Sequence, residues 1–592
     1  MSLDLSALHS WLEGDLDPQT QEEAHLLLQA LTETEGVLSP AEFRERFVSD
    51  ISLSSNGTFT KVEAGWARVN ASTVARLTAG LVYYLNQTLA ATREKNPPTV
   101  LVGFDGRASS PKLAAVAAAV AGGCGAQVLT FEEPGPTALL SFALGHLQAE
   151  AAIMISGGIT PVTPVEFNGM RVFLGGRAVP PSENGHYISA SIAAAISDLG
   201  RALPPPRDLP QNPSFSSIPT EVTAAFSANA QKLIQGIDKV NPNLKIAIMG
   251  CYGAGTALLR HCLEMAGFGD VIDVGDTCET NPSFGGLNAP DPRNPILVKA
   301  SLAFAQDAGA DLMLGISPDA DRCIVALPMG KDRVWQILGS DDVSAIVTSW
   351  FLERRRRGEI PLSSVVAYDL YCASMPLTIA QSAGVKTAVT LGGVATLTRV
   401  PNVGLSFTQS DSYCVNPGAI HCADGISASL IVAALAASSS ENGLLQILND
   451  AANKHGVHLA TREDIVFDSL GAVERYSRRL RQGHAYPQDF SGSHISGWCD
   501  MAKACPHKAP CAIRATVGHP KERTNAVVGL GAKGERVIIR PRPNRNQISI
   551  YVEVDSEASD PSELGAARSV ALRRATEIVS QVRACMQEAQ AK

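Results

Sequence analysis

The chain has 592 residues, 45% of them hydrophobic and 18% charged. At about 150 residues per domain this is material for about four domains with large cores, which excludes a disordered chain or a coiled coil. Lysine and arginine number 49 against 58 aspartate and glutamate, a net charge of −9, and the pI is near 5.8. An acidic balance argues against nucleic acid as the main partner, so an anionic ligand needs a local basic site.

Residues 1–45 read as short amphipathic helices, with Leu5, Leu8, Trp11 and Leu12 on one face and Leu26, Leu27, Leu28 and Leu31 further on. The opening Met1-Ser-Leu-Asp-Leu-Ser lacks the cationic flank and apolar run of a signal peptide. No run reaches about 18 apolar residues without a polar interruption. The expectation is a cytoplasmic protein with no membrane partner. Twelve cysteines without framework spacing fit reduced thiols. Cys499, Cys505, Cys511 and His507 cluster, but at a spacing that fits no common zinc knuckle.

From Thr73 a helical pattern leads into an apolar strand at 99–104, followed by helix 112–121, strand 127–131, helix 137–147 and strand 152–156. Such alternation predicts right-handed βαβ crossovers and a mostly parallel sheet. Prolines 204, 205, 206, 210 and 213 mark a loop. A second run takes helix 221–237, strand 245–249, helix 256–266 and strand 312–316. A third begins near Val334, with helix 342–355 ending in the basic run 354–357, then strand 365–368, helix 376–383 and strand 387–391. After about residue 460 mixed strands lead to a closing helix at 562–586. The reading is an α/β fold: three similar mixed-sheet α/β domains plus a C-terminal α+β domain. The expected boundaries are a helical lead at 1–45 and domains at 46–215, 216–331, 332–460 and 461–592.

The clearest local signal is Ser317-Pro-Asp-Ala-Asp-Arg322, directly after a predicted buried strand. Carboxylates two residues apart at a strand's C-terminal mouth point the same way and can share a hard cation. Arg322 beside them can pair with a phosphate as a bidentate fork. Taken alone, Asp-x-Asp is more often a turn with solvated acids.

In context, this segment resembles the metal loop of the α-D-phosphohexomutases, the phosphoglucomutase, phosphomannomutase and phosphopentomutase enzymes. Its wording is nearest the branch of phosphopentomutase and glucose 1,6-bisphosphate synthase. Gly103-Phe-Asp-Gly-Arg107 with Ser109-Ser110 resembles the family's first strand and turn, and Pro136-Thr137 its Pro-Thr-Pro. Thr163-Pro-Val-Glu-Phe-Asn-Gly169 resembles Asn-Pro-x-x-Tyr-Asn-Gly, Asp424-Gly425-Ile426 an Asp-Gly-Ile helix start, and Arg540-Pro541 the final phosphate loop. The resemblance spans nearly the whole chain. It implies four domains around a central cleft, an active-site phosphoserine, Mg²⁺ and a phosphosugar substrate.

Against that pattern the chemical groups are rewritten. The family's Thr-Ala-Ser-His-Asn-Pro is here Ser156-Gly-Gly-Ile-Thr-Pro161. Without gaps the nucleophile falls on Gly158; an insertion before Thr163 moves it as late as Pro161, and neither alignment gives a serine. Ser156 and Thr160 are the substitute hydroxyls, with Thr163 also near. Of three metal aspartates the first is Ser317, leaving Asp319 and Asp321 to hold Mg²⁺ more weakly. The sugar loop Phe-Glu-Glu-Ala-Ile-Gly-Tyr is Phe407-Thr-Gln-Ser-Asp-Ser-Tyr413, with Thr408 and Gln409 in place of its glutamates and Asp411 a partial stand-in.

Leu391-Gly-Gly-Val-Ala395 lacks the lysine of its counterpart. Counting back from Asn70 puts Phe59 where the early loop has arginine. The lysine after Asn-Gly is Arg171, which keeps charge but is a poor proton-transfer base. The Ser-Gly-Thr phosphate nest is gone from 540–547, although Arg540, Arg542 and Arg545 can bind an anion or line a solvated strand edge. Gly253-Ala-Gly255 reads as a tight turn, and His421 has no partner at ligand spacing.

Scaffold motifs survive while nucleophile, metal ligand, sugar-reading and phosphate loops change together. Losing one transition-state group costs about 10²–10³ in rate. The first reading is therefore an impaired or inactive phosphohexomutase-like protein that binds a phosphosugar and acts in regulation or as a scaffold for a protein partner. The second is an active divergent Mg²⁺-dependent mutase using Ser156 or Thr160. The third is an enzyme acting on another phosphorylated small molecule through Arg322 and Arg540–545.

Overall fold

Strands predicted from unbroken apolar runs become, in a computed structural model of the chain, the centres of sheets covered by helices. The structure describes residues 4–33, 37–91, 96–158, 164–241, 243–330, 332–391, 393–439, 443–481, 489–490, 493–503, 523–531, 535–542, 546–556 and 564–591. Contacts divide the chain into two units. One comprises Met1–Leu338 and Ser412–Ser438, the other Gly339–Asp411 and Ser439–Lys592.

The first unit holds two sheets of one pattern. In one, β1 (Thr58–Lys61), β2 (Thr99–Phe104), β3 (Gln127–Thr130), β4 (Ala151–Ile155), β5 (Phe167–Leu174), β6 (His186–Tyr187) and β7 (Ser216–Ser217) run in the order β1-β5-β4-β2-β3-β7, with β6 beside β5. Strands β3, β2 and β4 are parallel, whereas β5 returns antiparallel to β4. In the other, β8 (Ile246–Met249), β9 (Val271–Asp273), β10 (Leu312–Ile316), β11 (Cys323–Met329) and β12 (Val334–Ile337) run β12-β11-β10-β8-β9, and β11 again returns antiparallel to β10. Each central strand is thus followed by an antiparallel return: residues 156–158 continue from β4, and 317–322 link β10 to β11. Val334, the expected start of a third domain, instead begins the edge strand of this second sheet, because Val334 and Trp335 pair with Met329 and Pro328.

Apolar burial explains the rest. β4 and β10 are buried along their whole length, at about 1.5–3 kcal/mol per large aliphatic side chain. The helix Ala71–Ala91 packs on Ala190–Ala202 through Gly80, where any Cβ would strike the Ile196 carbonyl. The N-terminal helices bury Leu8, Trp11, Phe43 and Phe47 together, with Trp11 edge-on to Trp66 at 4.6 Å. Leu26 does not join them: it is 61% exposed, while Leu27, Leu28 and Leu31 are partly buried. The helix expected at 221–237 stops at Gln231 and passes through a short turn, Lys232–Ile234, before Gly236 at φ +73°. Among the described residues no helix is long and apolar enough to cross a membrane.

The second unit contains the parallel strands β13 (Val365–Asp369), β14 (Lys386–Thr390) and β15 (Val403–Phe407). The chain then returns to the first unit through the short strand β16 (Tyr413–Cys414). The rest of the second unit is a meander of β17 (Val457–Val466), β18 (Asp489–Phe490), β19 (Ser493–Asp500), β20 (Val527–Gly531), β21 (Arg536–Arg542) and β22 (Gln547–Ser556), ordered β17-β22-β21-β20-β19-β18. The closing helix runs Leu564–Ala591.

Candidate functional site

The two reversing loops of the first unit meet. The 317–322 loop is shaped by a 2.8 Å bond from the Ala320 N–H to the Ser317 carbonyl, with Ala320 in the left-handed region at φ +52°. Three glycines let other chain segments close on it. A Cβ at Gly253 would strike Pro318, one at Gly255 the Ala320 methyl, and one at Gly425 the Arg322 and Ala320 carbonyls. Gly253-Ala-Gly255 is therefore a cradle for this loop as well as a turn. Asp424 accepts from the N–H groups of Ile426 (3.1 Å) and Ser427 (2.9 Å), so Asp-Gly-Ile is a helix cap followed by a point of close approach.

The other loop is held by the scaffold motifs. Asp105 accepts from Ser110 Oγ (2.6 Å) and from the Gly157 N–H (3.2 Å). Arg107 donates to the Pro164 and Phe167 carbonyls at 3.0 and 3.1 Å. Asn168 donates to Ser109 and Ser110 at 2.8 and 2.9 Å. All of these are positioning contacts.

Asp319 stands at the centre, fully buried. Its Oδ2 lies 3.1 Å from Arg171 Nη1, and accepts from Thr137 Oγ1 at 3.3 Å and Ser156 Oγ at 3.4 Å. The Ser317 hydroxyl lies within reach of Asp321 Oδ1 (2.9 Å) and Asp319 Oδ1 (3.2 Å), and accepts from the Arg322 N–H at 3.1 Å. Arg171 Nη2 reaches Asp321 Oδ2 at 3.5 Å, and Arg322 pairs with Asp321 at 3.4 Å and Asp291 at 3.3 Å. Burial pushes Asp319 up, but Arg171 and Arg322 outweigh it and hold the carboxyl below its ordinary value. Burial and the adjacent Asp319 raise Asp321 to about 7.

Gly158 faces this cluster. A Cβ built there would lie inside van der Waals contact of all three atoms of the Asp319 carboxyl group. The carboxylate thus fills the space a side chain at 158 would need. Ser156 is committed as well, since its Oγ accepts from the Gly158 N–H at 3.0 Å while facing Asp319. Thr160, Pro161 and Thr163 lie outside the described residues. Phe59 lies flat over Gly169, with its ring centre 5.9 Å from the Arg171 guanidinium.

The remaining expected residues lie in the second unit. Thr408 is buried and its carbonyl accepts from Ser340 Oγ at 3.2 Å. Gln409 is half-buried, and Asp411 is buried with φ +61°. On β21, Arg540 lies over Tyr371 at 4.5 Å and Arg542 donates to Tyr551 Oη at 2.8 Å. The Tyr371 and Tyr551 rings are 4.8 Å apart. Arg545, Cys505, Cys511 and His507 lie outside the described residues.

Sequence reasoning missed two groupings. His421 packs against His186 with ring centres 4.2 Å apart and planes tilted by 40°, and burial lowers its pKa to about 4. His458, Glu553 and Asp555 come within cation-sharing distance, with His458 Nδ1 2.8 Å from Asp555 and 2.7 Å from Ser374 Oγ. Glu553 already pairs with Arg536 at 2.7 Å. The only signal for this grouping was strand alternation, and it needed the β17–β22 register that sets His458 opposite Asp555.

Family models for phosphoglucomutase/phosphomannomutase alpha/beta/alpha domains I and II match residues 56–196 and 225–330. The chain is 22% identical over 502 residues to a Haemophilus influenzae protein named "Probable phosphomannomutase", covering 84% of this chain and 94% of that one. It is 27% identical over 288 residues to a Staphylococcus epidermidis phosphoglucomutase, spanning about half of each chain (48% and 49%). The solved open form of the Paramecium phosphoprotein parafusin, a phosphoglucomutase, superposes with a TM-score of 0.61 at 15% identity, covering 90% of this chain and 95% of that one. Through these two matched domains the chain belongs to the α-D-phosphohexomutase superfamily.

Proposed function

We propose that this chain is a non-mutase member of its superfamily, which binds a phosphorylated sugar without transferring its phosphoryl group and serves as a regulatory or scaffold component. The observation that carries this reading is the Asp319 carboxylate lodged against Gly158. Phosphoryl transfer through a covalent intermediate needs a nucleophile with in-line access. In the gap-free alignment the nucleophile falls on Gly158, which has no side chain, and the described hydroxyl beside it, Ser156, already accepts one hydrogen bond and faces a carboxylate. Binding is assigned to β21, where Arg540 and Arg542 are supported by tyrosines. Guanidinium groups held this way can still fork onto a phosphate.

The test is a turnover assay followed by phosphorus NMR at high protein concentration. It uses Mg²⁺, a bisphosphate primer and the 1-phosphates of glucose, mannose, glucosamine and ribose, beside an Asp319→Ala control. The expected result is no conversion above the control, together with saturable binding of glucose 6-phosphate by calorimetry. Conversion that disappears in the control overturns the reading and redirects attention to Ser156 and Thr160.

A further inference from the structure

We propose that the Arg171 guanidinium takes the place of a divalent cation in the 317–322 loop, so that the chain carries its own cation there and does not take up Mg²⁺. Mg²⁺ requires a near-octahedral set of oxygens at about 2.0–2.1 Å and gives up water reluctantly. The described donors do not meet that demand. The carboxylate oxygens are already engaged: Asp319 Oδ2 by Arg171, Thr137 and Ser156, Asp321 Oδ2 by Arg171, and Asp321 Oδ1 by Arg322, while the one Ser317 hydroxyl proton serves either Asp321 Oδ1 (2.9 Å) or Asp319 Oδ1 (3.2 Å). Position 317, an aspartate in the resemblance, is a hydroxyl, and Gly158 supplies no side-chain ligand.

The geometry favours the guanidinium positively. Its planar fork spans both carboxylates from one side, at 3.1 and 3.5 Å, which a compact point charge does not do. Arg171 is 1% exposed, fixed on β5 opposite Met154, with the Phe59 ring on its flank. The charges already nearly balance. Asp291, Asp319 and Asp321 face Arg171 and Arg322, leaving at most one negative charge, whereas an added divalent ion would leave an excess of at least one positive.

The experiment is Mn²⁺ binding by paramagnetic resonance, on wild type, Asp319→Asn and Arg171→Met, without any substrate. Wild type is expected to bind no Mn²⁺ in the micromolar-to-millimolar range that Asp319→Asn abolishes, and its melting temperature should not differ between Mg²⁺ and chelator. Arg171→Met, which frees both carboxylates, is expected to gain a Mn²⁺ site at least tenfold tighter than any in wild type. A Mn²⁺ site in wild type that Asp319→Asn removes overturns the inference, and so does an Arg171→Met protein that folds but gains none. If that variant unfolds, it is refolded with and without Mn²⁺; recovery of structure only with the ion supports the inference, and recovery in neither overturns it. Because no substrate is present, this inference and the absence of turnover fail independently.

Discussion

Arg171 in the first unit and Arg540 in the second are both deeply set guanidiniums, and their surroundings differ in kind. Arg171 faces two carboxylates and a threonine hydroxyl, in a cluster whose charges nearly cancel. Arg540 lies over the Tyr371 ring, which packs on Tyr551, and a single buried carboxyl, Asp369, bears on it. An aromatic face attracts a cation by about 0.5–2 kcal/mol but brings no full counter-charge. On the reading proposed above, the first arrangement is closed against a ligand and the second holds positive charge in position for one.

The sharpest way to break this contrast is Arg171→Met in chelator. Removing one partner of a buried pair leaves the other uncompensated, at about 3–5 kcal/mol. The loss should appear as a large drop in the unfolding midpoint of the first unit; a change near zero would mean that Asp319 and Asp321 are solvated rather than paired. Next in size is Gly158→Ser. The new Cβ must displace the Asp319 carboxyl group, at about 1–3 kcal/mol. It should also fail to restore turnover, because Asp319 and Arg171 occupy the approach. A stable Gly158→Ser protein with phosphoryl transfer would show that the closure is superficial.

How much of this was legible beforehand follows from how local each signal is. The Asp424 cap and the Asp105–Ser110 turn are short-range devices, and their motifs announced them. Strands β2, β4 and β10 were readable as apolar runs because both faces are buried. Val334, near which a third domain is expected to begin, pairs with β11 instead; an edge strand carries little apolar signal, and its pairing is set by the fold. A glycine at 158 and a serine at 317, where the resemblance leads one to look for a nucleophile and a metal ligand, could be read from the sequence. Their consequence could not: Arg171 and Asp321 stand 150 positions apart, and only the fold shows an arginine lodged between the surviving aspartates. The cradle formed by Gly253, Gly255 and Gly425 was hidden for the same reason.

In the second unit the matching prediction is Arg540→Met. Glucose 6-phosphate affinity should fall about tenfold, about 1.4 kcal/mol, with stability little changed. Arg171→Lys, measured alongside, should leave that affinity alone. Equal loss in both variants would mean that the two guanidiniums are not divided in role as the geometry divides them.

The smallest effect concerns the electrostatic setting of the second unit. Asp341, half-buried at the start of the helix Ser340–Arg356, accepts from the Ala373 N–H at 2.8 Å. Burial, reinforced by Glu553 and Asp342, raises its pKa to about 7. Because the folded value lies above the unfolded one, the stabilisation is complete below about pH 4 and is lost as pH rises through about 7. Asp341→Asn keeps the acceptor for Ala373 but has no proton to lose. Between about pH 5 and about pH 8, wild type should therefore lose about 1 kcal/mol more stability than the variant, a modest figure because the group is partly solvated. Curves that stay parallel would mean that Asp341 is already ionised at neutral pH. The second unit would then carry one more anion near Arg536, and its readiness for a phosphate would rest on Arg540 and Arg542 alone.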